Sequence, residues 1–249
     1  MIITISGQYG SGGHEVGVRV AEILGYKVYD AQIIVRAREI YTRISERADK
    51  PSWWPSLKLT PYNTNDVFPH LGTALGQAEL ELKSDQMTSS SSFENLGEQT
   101  DSFRRAMMES LSGAIMEYAK DGDCILCGKG SDFILRGRPD AIHVFSTADM
   151  DARIKRIMSQ YNLSLDSISG SKWLAPSYTL QEAGQLLNME RKDALELMYT
   201  TDKRRSDLFE FLTGERWGDL EHYDYQIVGN DLDLDTQTDA FLAFVRDKM

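Results

Sequence analysis

Cysteine is nearly absent from this chain: Cys124 and Cys127 are the only two in 249 residues. They stand three apart in the run Cys124-Ile125-Leu126-Cys127. On a strand that spacing sends them to opposite faces, so they are poorly placed to close a disulfide or share a metal. With no second Cys/His pair to complete a zinc site, burial as small apolar side chains is the expected role. Positive charge is also in deficit, with 27 Lys and Arg against 38 Asp and Glu, a formal net charge of −11. General nucleic-acid binding needs the opposite balance. Long apolar runs are missing too: none approaches the ~20 residues that span a bilayer. Met1 leads directly into Ile2-Ile3-Thr4-Ile5, without the basic flank or cleavage site of an export signal. The expectation is a cytoplasmic protein with no membrane partner and no nucleic-acid polymer as partner.

What is present is ordinary for a soluble globular chain, with 41% apolar and 26% charged residues. The length suits one large domain or two small ones, and residues 1–249 read as one. Charge is uneven. From Trp217 onward there are eight acidic and two basic side chains, whereas Lys203-Arg204-Arg205 is a compact basic cluster. Such a cluster in an acidic protein suits a small anionic ligand better than a polymer.

Residues 2–6 form a β-branched run that reads as a buried strand. A glycine-rich turn follows, and then Val16, Val20 and Ile23/Leu24 recur at helical spacing up to Gly25. Lys27-Val28-Tyr29 is a second short strand closing on Asp30, and Ile33/Ile34, Ala37, Ile40/Tyr41 and Ile44 mark another helix. Pro51, Trp53, Trp54, Pro55, Pro61 and Pro69 then break the rhythm and predict a long irregular excursion. A helix is expected around Ala74–Lys83, and the polar run Thr88–Ser92 is expected to be a mobile loop. Phe103, Met107, Leu111, Ile115 and Tyr118 form one stripe of a long helix. Asp123–Cys127 is the next strand and Ala141–Phe145 another, followed by a helix carrying Arg153, Ile154, Arg156 and Ile157. Residues 179–212 read as two helices, Tyr225–Val228 as a last strand, and Thr238–Val245 as a closing helix. Strands alternating with helices imply a doubly wound, mostly parallel sheet.

The segment Gly7-Gln8-Tyr9-Gly10-Ser11-Gly12-Gly13-His14 lies between the first strand and its helix. That is the setting of a phosphate-binding loop: glycines let successive N–H groups converge, and the helix N-terminus favours an anion. Gly7 and Gly12 have the spacing of the outer glycines of the P-loop pattern. Where that pattern continues with lysine and Ser/Thr, this chain has Gly13 and His14. The lysine neutralises the β- and γ-phosphates, so its loss bears on catalysis more than on binding. A glycine turn without a ligand is the competing reading.

The chain resembles the cytidylate kinase-like family, P-loop proteins related to nucleoside monophosphate kinases. The stretches that carry the resemblance are Ile3–Gly17, Gly25–Asp30, Cys124–Pro139 and Thr201–Asp219, with His143–Ile157. Members of that family also tend to carry Gly-Gly in place of Gly-Lys. The resemblance implies a P-loop NTPase-type α/β fold, a doubly wound parallel five-stranded sheet flanked by helices. To this it adds an acceptor-side insert, about 45–100, and a helical lid, about 178–216. It implies ATP as donor, Mg²⁺ as companion ion and a nucleotide as small-molecule substrate. A homodimer is left open.

By the same resemblance Gly7, Gly10, Ser11, Gly12, Gly13 and His14 would bind the donor. The Gly-Arg-Asp motif of true cytidylate kinases is matched by Gly128-Lys129-Gly130, placing Lys129 at the acceptor. Without the Asp, cytosine specificity is poorly supported. In the lid, Asp202-Lys203-Arg204-Arg205 matches an acid-x-x-Arg arrangement. Arg205 and Arg204 would be catalytic and Arg191 substrate-binding. Against this stands the simpler reading of a solvated helix face.

Asp30 ends the second strand, where a carboxylate could hold magnesium or accept the acceptor's proton; it would equally serve as a helix N-cap. The strand ending at Cys127 lacks the acidic residue that often holds magnesium. His14 is either a phosphate donor or a solvated helix residue. Arg136 and Arg138 are further candidates for reaching a phosphate. Trp53, Trp54 and Trp217 are expected to pack rather than stack on a base. Three functions remain open: an ATP-dependent phosphotransferase acting on a nucleoside monophosphate or similar acceptor, a nucleotide-binding module without turnover, and a kinase for a non-nucleotide acceptor. Gly13→Lys is the substitution expected to separate the first from the second.

Overall fold

The computed structural model describes residues 1–54, 92–120, 122–161, 189–230 and 233–249. The expected helix at Ala74–Lys83 lies outside them, as do residues 55–91 of the insert expected at about 45–100. Strand β1 (Ile2–Gly7) runs into the glycine loop and helix α1 (Gly13–Leu24). Then come β2 (Lys27–Tyr29), α2 (Ala31–Ser45), α3 (Ser92–Ala119), β3 (Cys124–Cys127) and the short α4 (Ser131–Ile134). The chain continues through β4 (Ala141–Thr147), α5 (Met150–Tyr161), α6 (Arg191–Thr213), β5 (Tyr225–Val228) and α7 (Leu234–Lys248).

The sheet order is β2-β3-β1-β4-β5 and every pairing is parallel. In register, Ile5 pairs with Cys127 on one side, and Gly7 pairs with Ser146 on the other. Alternation along the strands builds two cores. Ile2, Cys124 and Leu126 face α2 and α3, meeting Ile33, Ala37, Met107, Leu111 and Ile115. Ile3, Ile5, Ile125 and Val144 face α1 and α7, meeting Val16, Val20, Phe241 and Val245. Each fully buried Val, Leu, Ile, Phe or Met among them contributes roughly 1.5–3 kcal/mol of transfer free energy. Cys124 and Cys127 fall into opposite cores, both buried and unbridged, as their spacing predicts.

The helices end where their residues dictate. Gly25 takes a left-handed φ of 73° and returns its N–H to Ala21, and Gly214 does the same for α6 on Glu210. A capping box between Glu190 and Asp193 starts α6. One expectation changes here: Ser92 is the first residue of α3 rather than part of a loop. Residues 191–213 form one helix carrying the basic cluster, in agreement with the second of the two expected there, and residues 179–188 lie outside the described residues. The tryptophans pack: Trp54 is buried against Tyr41 and donates its indole N–H to Ser45, and Trp217 meets the Phe145 ring edge-on. Because all strands are parallel, their C-terminal ends open on one side, and that side carries the glycine loop, Asp30 and Lys129.

Candidate functional site

The loop is built from contacts that tolerate little but glycine. A Cβ on Gly7 would lie 2.6 Å from the Ser146 carbonyl oxygen, and one on Gly13 would lie 2.4 Å from Ser146 Cβ. Gly10 and Gly12 take φ of 77° and 91°, the left-handed region that side chains avoid. Gln8 donates its N–H to Ser146 (2.9 Å), and Ser11 donates to Gln8 (3.1 Å). The N–H groups of Gly10, Gly12 and Gly13 have no acceptor among the described residues. They stand at the N-terminus of α1, where the helix dipole adds positive character. That geometry suits an anion.

Cations grip the loop from outside. Arg153, almost wholly buried, donates to the Tyr9 carbonyl (2.7 Å) and pairs with Asp202, whose other oxygen accepts the Tyr9 N–H (2.7 Å). Arg156 joins the Gly10 carbonyl to the Gly229 carbonyl (2.5 and 2.9 Å). Arg205 donates to the Gly7 carbonyl (2.5 Å) and lies over the Tyr9 ring. Arg205 is ringed by protein yet keeps an open side toward solvent. Burial lowers its pKa, while Asp202 and Asp30 act in the opposite direction. It remains a guanidinium.

Sequence reading placed Arg153 and Arg156 on a helix without assigning them a role. The signal was there, since a spacing of three puts both on one face of α5. What the sequence does not show is that this face meets the loop.

The second centre is Asp30. Although its position is the N-cap of α2, its side chain makes no capping bond. Its carboxylate pairs with Lys129 and lies 3.5 Å from His14 Nε2. Burial pushes its pKa up, but Lys129, His14 and Arg205 more than offset this and hold it below the usual carboxylate range. Asp30, Lys129, His14 and Arg205 therefore belong to one cleft with Gly7–Gly13. Cys127 lies beneath it, its thiol pushed up to about 12, mainly by burial.

The other basic candidates do not converge. Arg191 starts α6, 14 residues from Arg205, and pairs with Asp151 on the surface. Fourteen helical residues span about 21 Å. Arg204 forms no ion pair or hydrogen bond among the described residues. Arg136 is held by Glu215 and Arg138 by Asp140. Both precede β4, at the end of the sheet away from the loop.

One buried group escaped sequence reading. Asp132 is only 2% exposed; its Oδ2 accepts the Tyr223 hydroxyl (2.7 Å), and Oδ1 has no partner. Tyr223 also bonds Ser6, the residue before the loop. Burial raises the Asp132 carboxyl above its ordinary range.

The residues fit a nucleotide's phosphates through the free glycine N–H groups and the surrounding cations. Beside Gly12, a cavity of about 230 Å³ is lined by Gly12, Glu15, Arg156, Leu234 and Gln237. For Mg²⁺ the fit rests on Asp30 alone. One carboxylate with phosphate and water oxygens is a usual magnesium shell. No cluster of three acidic, His or Cys ligands exists among the described residues.

Residues 2–170 match the model of the cytidylate kinase-like family. No curated protein sequence matches. Among solved structures, a protein from Eubacterium ventriosum ATCC 27560, described as uncharacterized, superposes with a TM-score of 0.54 at 18% identity, covering 99% of this chain and 98% of that one. A shikimate kinase from Bacteroides thetaiotaomicron gives 0.45 at 13% identity, covering 99% and 98%. One from Acinetobacter baumannii in complex with shikimate gives 0.42 at 15%, covering 99% and 93%. The first agrees with the fold described above. The two weaker likenesses bear on nothing further. Among the described residues no helix is long and apolar enough to cross a membrane.

Proposed function

The chain belongs to the cytidylate kinase-like family, and from that premise we propose that it transfers the γ-phosphoryl group of ATP to a nucleoside monophosphate or a similar small acceptor. The observation that carries this reading is the loop itself. The N–H groups of Gly10, Gly12 and Gly13, without protein acceptors among the described residues, stand at a helix N-terminus beside Lys129, His14, Arg205 and a single carboxylate, Asp30. Few arrangements other than a polyphosphate explain that concentration of donors in a protein of net charge −11.

In this mechanism Gly10, Gly12 and Gly13 hold the donor phosphates through their N–H groups. The base would enter the cavity beside Gly12, between Arg156 and α7. An acceptor oxygen attacks the γ-phosphorus in line as the bond to the ADP oxygen breaks. Asp30 orients the acceptor hydroxyl or phosphate oxygen and takes its proton where it carries one. Arg205 bears on the charge that spreads over the transferring group, with Arg204 beside it on α6. Mg²⁺, when bound, would add charge neutralisation on the β- and γ-phosphates, held on the protein side by Asp30.

The test follows ATP consumption with magnesium across CMP, UMP, dCMP and other nucleoside monophosphates, with nucleotide binding measured by calorimetry on the same sample. Transfer to any one of them supports the reading and identifies the acceptor. ATP binding without transfer to any of them rejects the nucleoside monophosphate acceptor. Absence of ATP binding rejects the whole reading.

A further inference from the structure

The glycine loop has no ammonium of its own and no space for one, since Gly13 is packed against Ser146. The three arginines around it are each tied to a loop carbonyl: Arg153 to Tyr9, Arg156 to Gly10 and Arg205 to Gly7. Lys129 differs from them. Its ammonium pairs with a side chain, Asp30, and 29% of its own side chain stays exposed, so it can leave that partner without breaking the loop. A lysine's flexible four-carbon stem permits such a swing.

The backbone makes the same point independently. Lys129 has a φ of 59°, between Gly128 at 62° and Gly130 at 74°. Three consecutive left-handed residues form a turn in which glycine is unstrained and a lysine is not. Strain of this kind gathers at functional positions. Nor does packing demand a side chain there, because the Lys129 ammonium reaches into the cleft rather than the core.

Its position completes the argument. The carboxylate that Lys129 holds is the one that faces His14, in the first turn of α1 beside the free glycine N–H groups. Arg205 acts electrostatically on the same carboxylate. Three basic side chains thus surround one acid at the mouth of the loop. The cleft has positive charge left over for an anion.

We infer that Lys129 supplies, from the end of β3, the cation that the loop lacks. In the loaded protein its ammonium binds the β- and γ-phosphate oxygens of the donor, and Asp30 is its counter-ion when no donor is bound. This rests on the phosphotransfer reading, and it moves Lys129 from the acceptor side to the donor side of the cleft.

The test compares wild type with Lys129→Gly and Lys129→Arg. Binding of AMP, ADP, ATP and CMP is measured by calorimetry in EDTA, which removes magnesium from the comparison. Loss of one charge-assisted contact should weaken ATP at least tenfold in Lys129→Gly. AMP and CMP should bind as in wild type, and Lys129→Arg should recover part of the ATP affinity. The melting temperature of Lys129→Gly should stay close to wild type, because relief of the left-handed backbone offsets the lost pairing with Asp30. Unchanged ATP affinity overturns the inference. So does a selective loss of CMP, which would return Lys129 to the acceptor, or an equal loss of all four nucleotides, which would make it structural. A wild type that binds no ATP overturns the phosphotransfer reading and this inference together, an outcome distinct from ATP binding that ignores Lys129.

Discussion

A Cβ placed on Gly13 would lie 2.4 Å from the Cβ of Ser146, inside any distance two such carbons adopt. Ser146 sits in β4, hydrogen-bonded in register with Gly7, and is itself buried, so it has nowhere to retreat. The loop can approach the sheet this closely only because residue 13 has no side chain. Gly13→Ala should therefore lower stability by about 1–3 kcal/mol, the range for overpacking. Gly13→Lys should be worse and should not create activity, so it cannot serve to separate a weak kinase from a binding module. Adding Ser146→Gly should return much of the loss. Denaturant midpoints of the two single variants and the pair decide this; a Gly13→Ala protein as stable as wild type would overturn the packing argument.

Arg205 and Arg204 should part company. Arg205 holds the Gly7 carbonyl and faces the cleft, whereas Arg204 has no partner among the described residues. Arg205→Ala should cut kcat by about a hundredfold or more while changing ATP affinity much less, the pattern of a group acting on developing charge. Arg204→Ala should cost well under tenfold in either. Steady-state kinetics beside calorimetry separates the cases, and equal loss of kcat and affinity in Arg205→Ala would count against its role.

Asp30 carries an acid limb. Its native pKa is depressed because Lys129, His14 and Arg205 outweigh the effect of burial. The unfolded value is ~3.9. A depressed carboxylate stabilises the fold above that value, and the contribution disappears as pH falls through the native pKa. Thermal stability of wild type should accordingly drop below about pH 4 more steeply than that of Asp30→Asn. Parallel profiles would mean that the pairing with Lys129 and His14 adds nothing in solution.

Asp132 predicts the opposite slope. Burial raises its carboxyl, so the neutral form is the one the native state favours. Its contribution is complete below ~3.9 and is lost as pH rises toward the raised native value. Asp132→Asn should flatten the fall in stability on the alkaline side of about pH 4. Tyr223→Phe, which removes the donor to Asp132 and the link to Ser6, should cost about 1–3 kcal/mol. Melting curves across pH 4 to about 8 test both.

Both thiols should be silent in the native protein. Cys124 and Cys127 are buried, and the Cys127 thiol is pushed up to about 12. Alkylation at about pH 8 should be slow without denaturant and should reach both cysteines on unfolding. Rapid native labelling of either would show that its strand opens.

Much of this was legible in the sequence because it is local. The β-branched run at residues 2–6, the glycines from 7 to 13 and the apolar spacing after them prescribe strand, loop and helix without help from elsewhere. The strand through Cys124–Cys127 announces its own two-faced burial in the same way. The sequence is less informative where a residue's neighbours lie across the molecule. Arg205 and Arg191 stand on one helix, the first the stronger candidate in sequence, and the helix carries Arg205 to the loop and Arg191 to Asp151. Arg136 and Arg138 follow β3 closely in the chain but end on the far side of the sheet, each taken by a carboxylate.

The amino-acid order by itself thus determined a parallel α/β fold and the glycine loop between β1 and α1, since backbone freedom at glycine and the period of apolar residues act over a few neighbours. Only the tertiary structure decided which charges lie beside that loop. Coulombic and hydrogen-bonding partners are set by distance in space, and residues 30, 129 and 205 become neighbours of the loop only once β1, β2, β3 and α6 have packed.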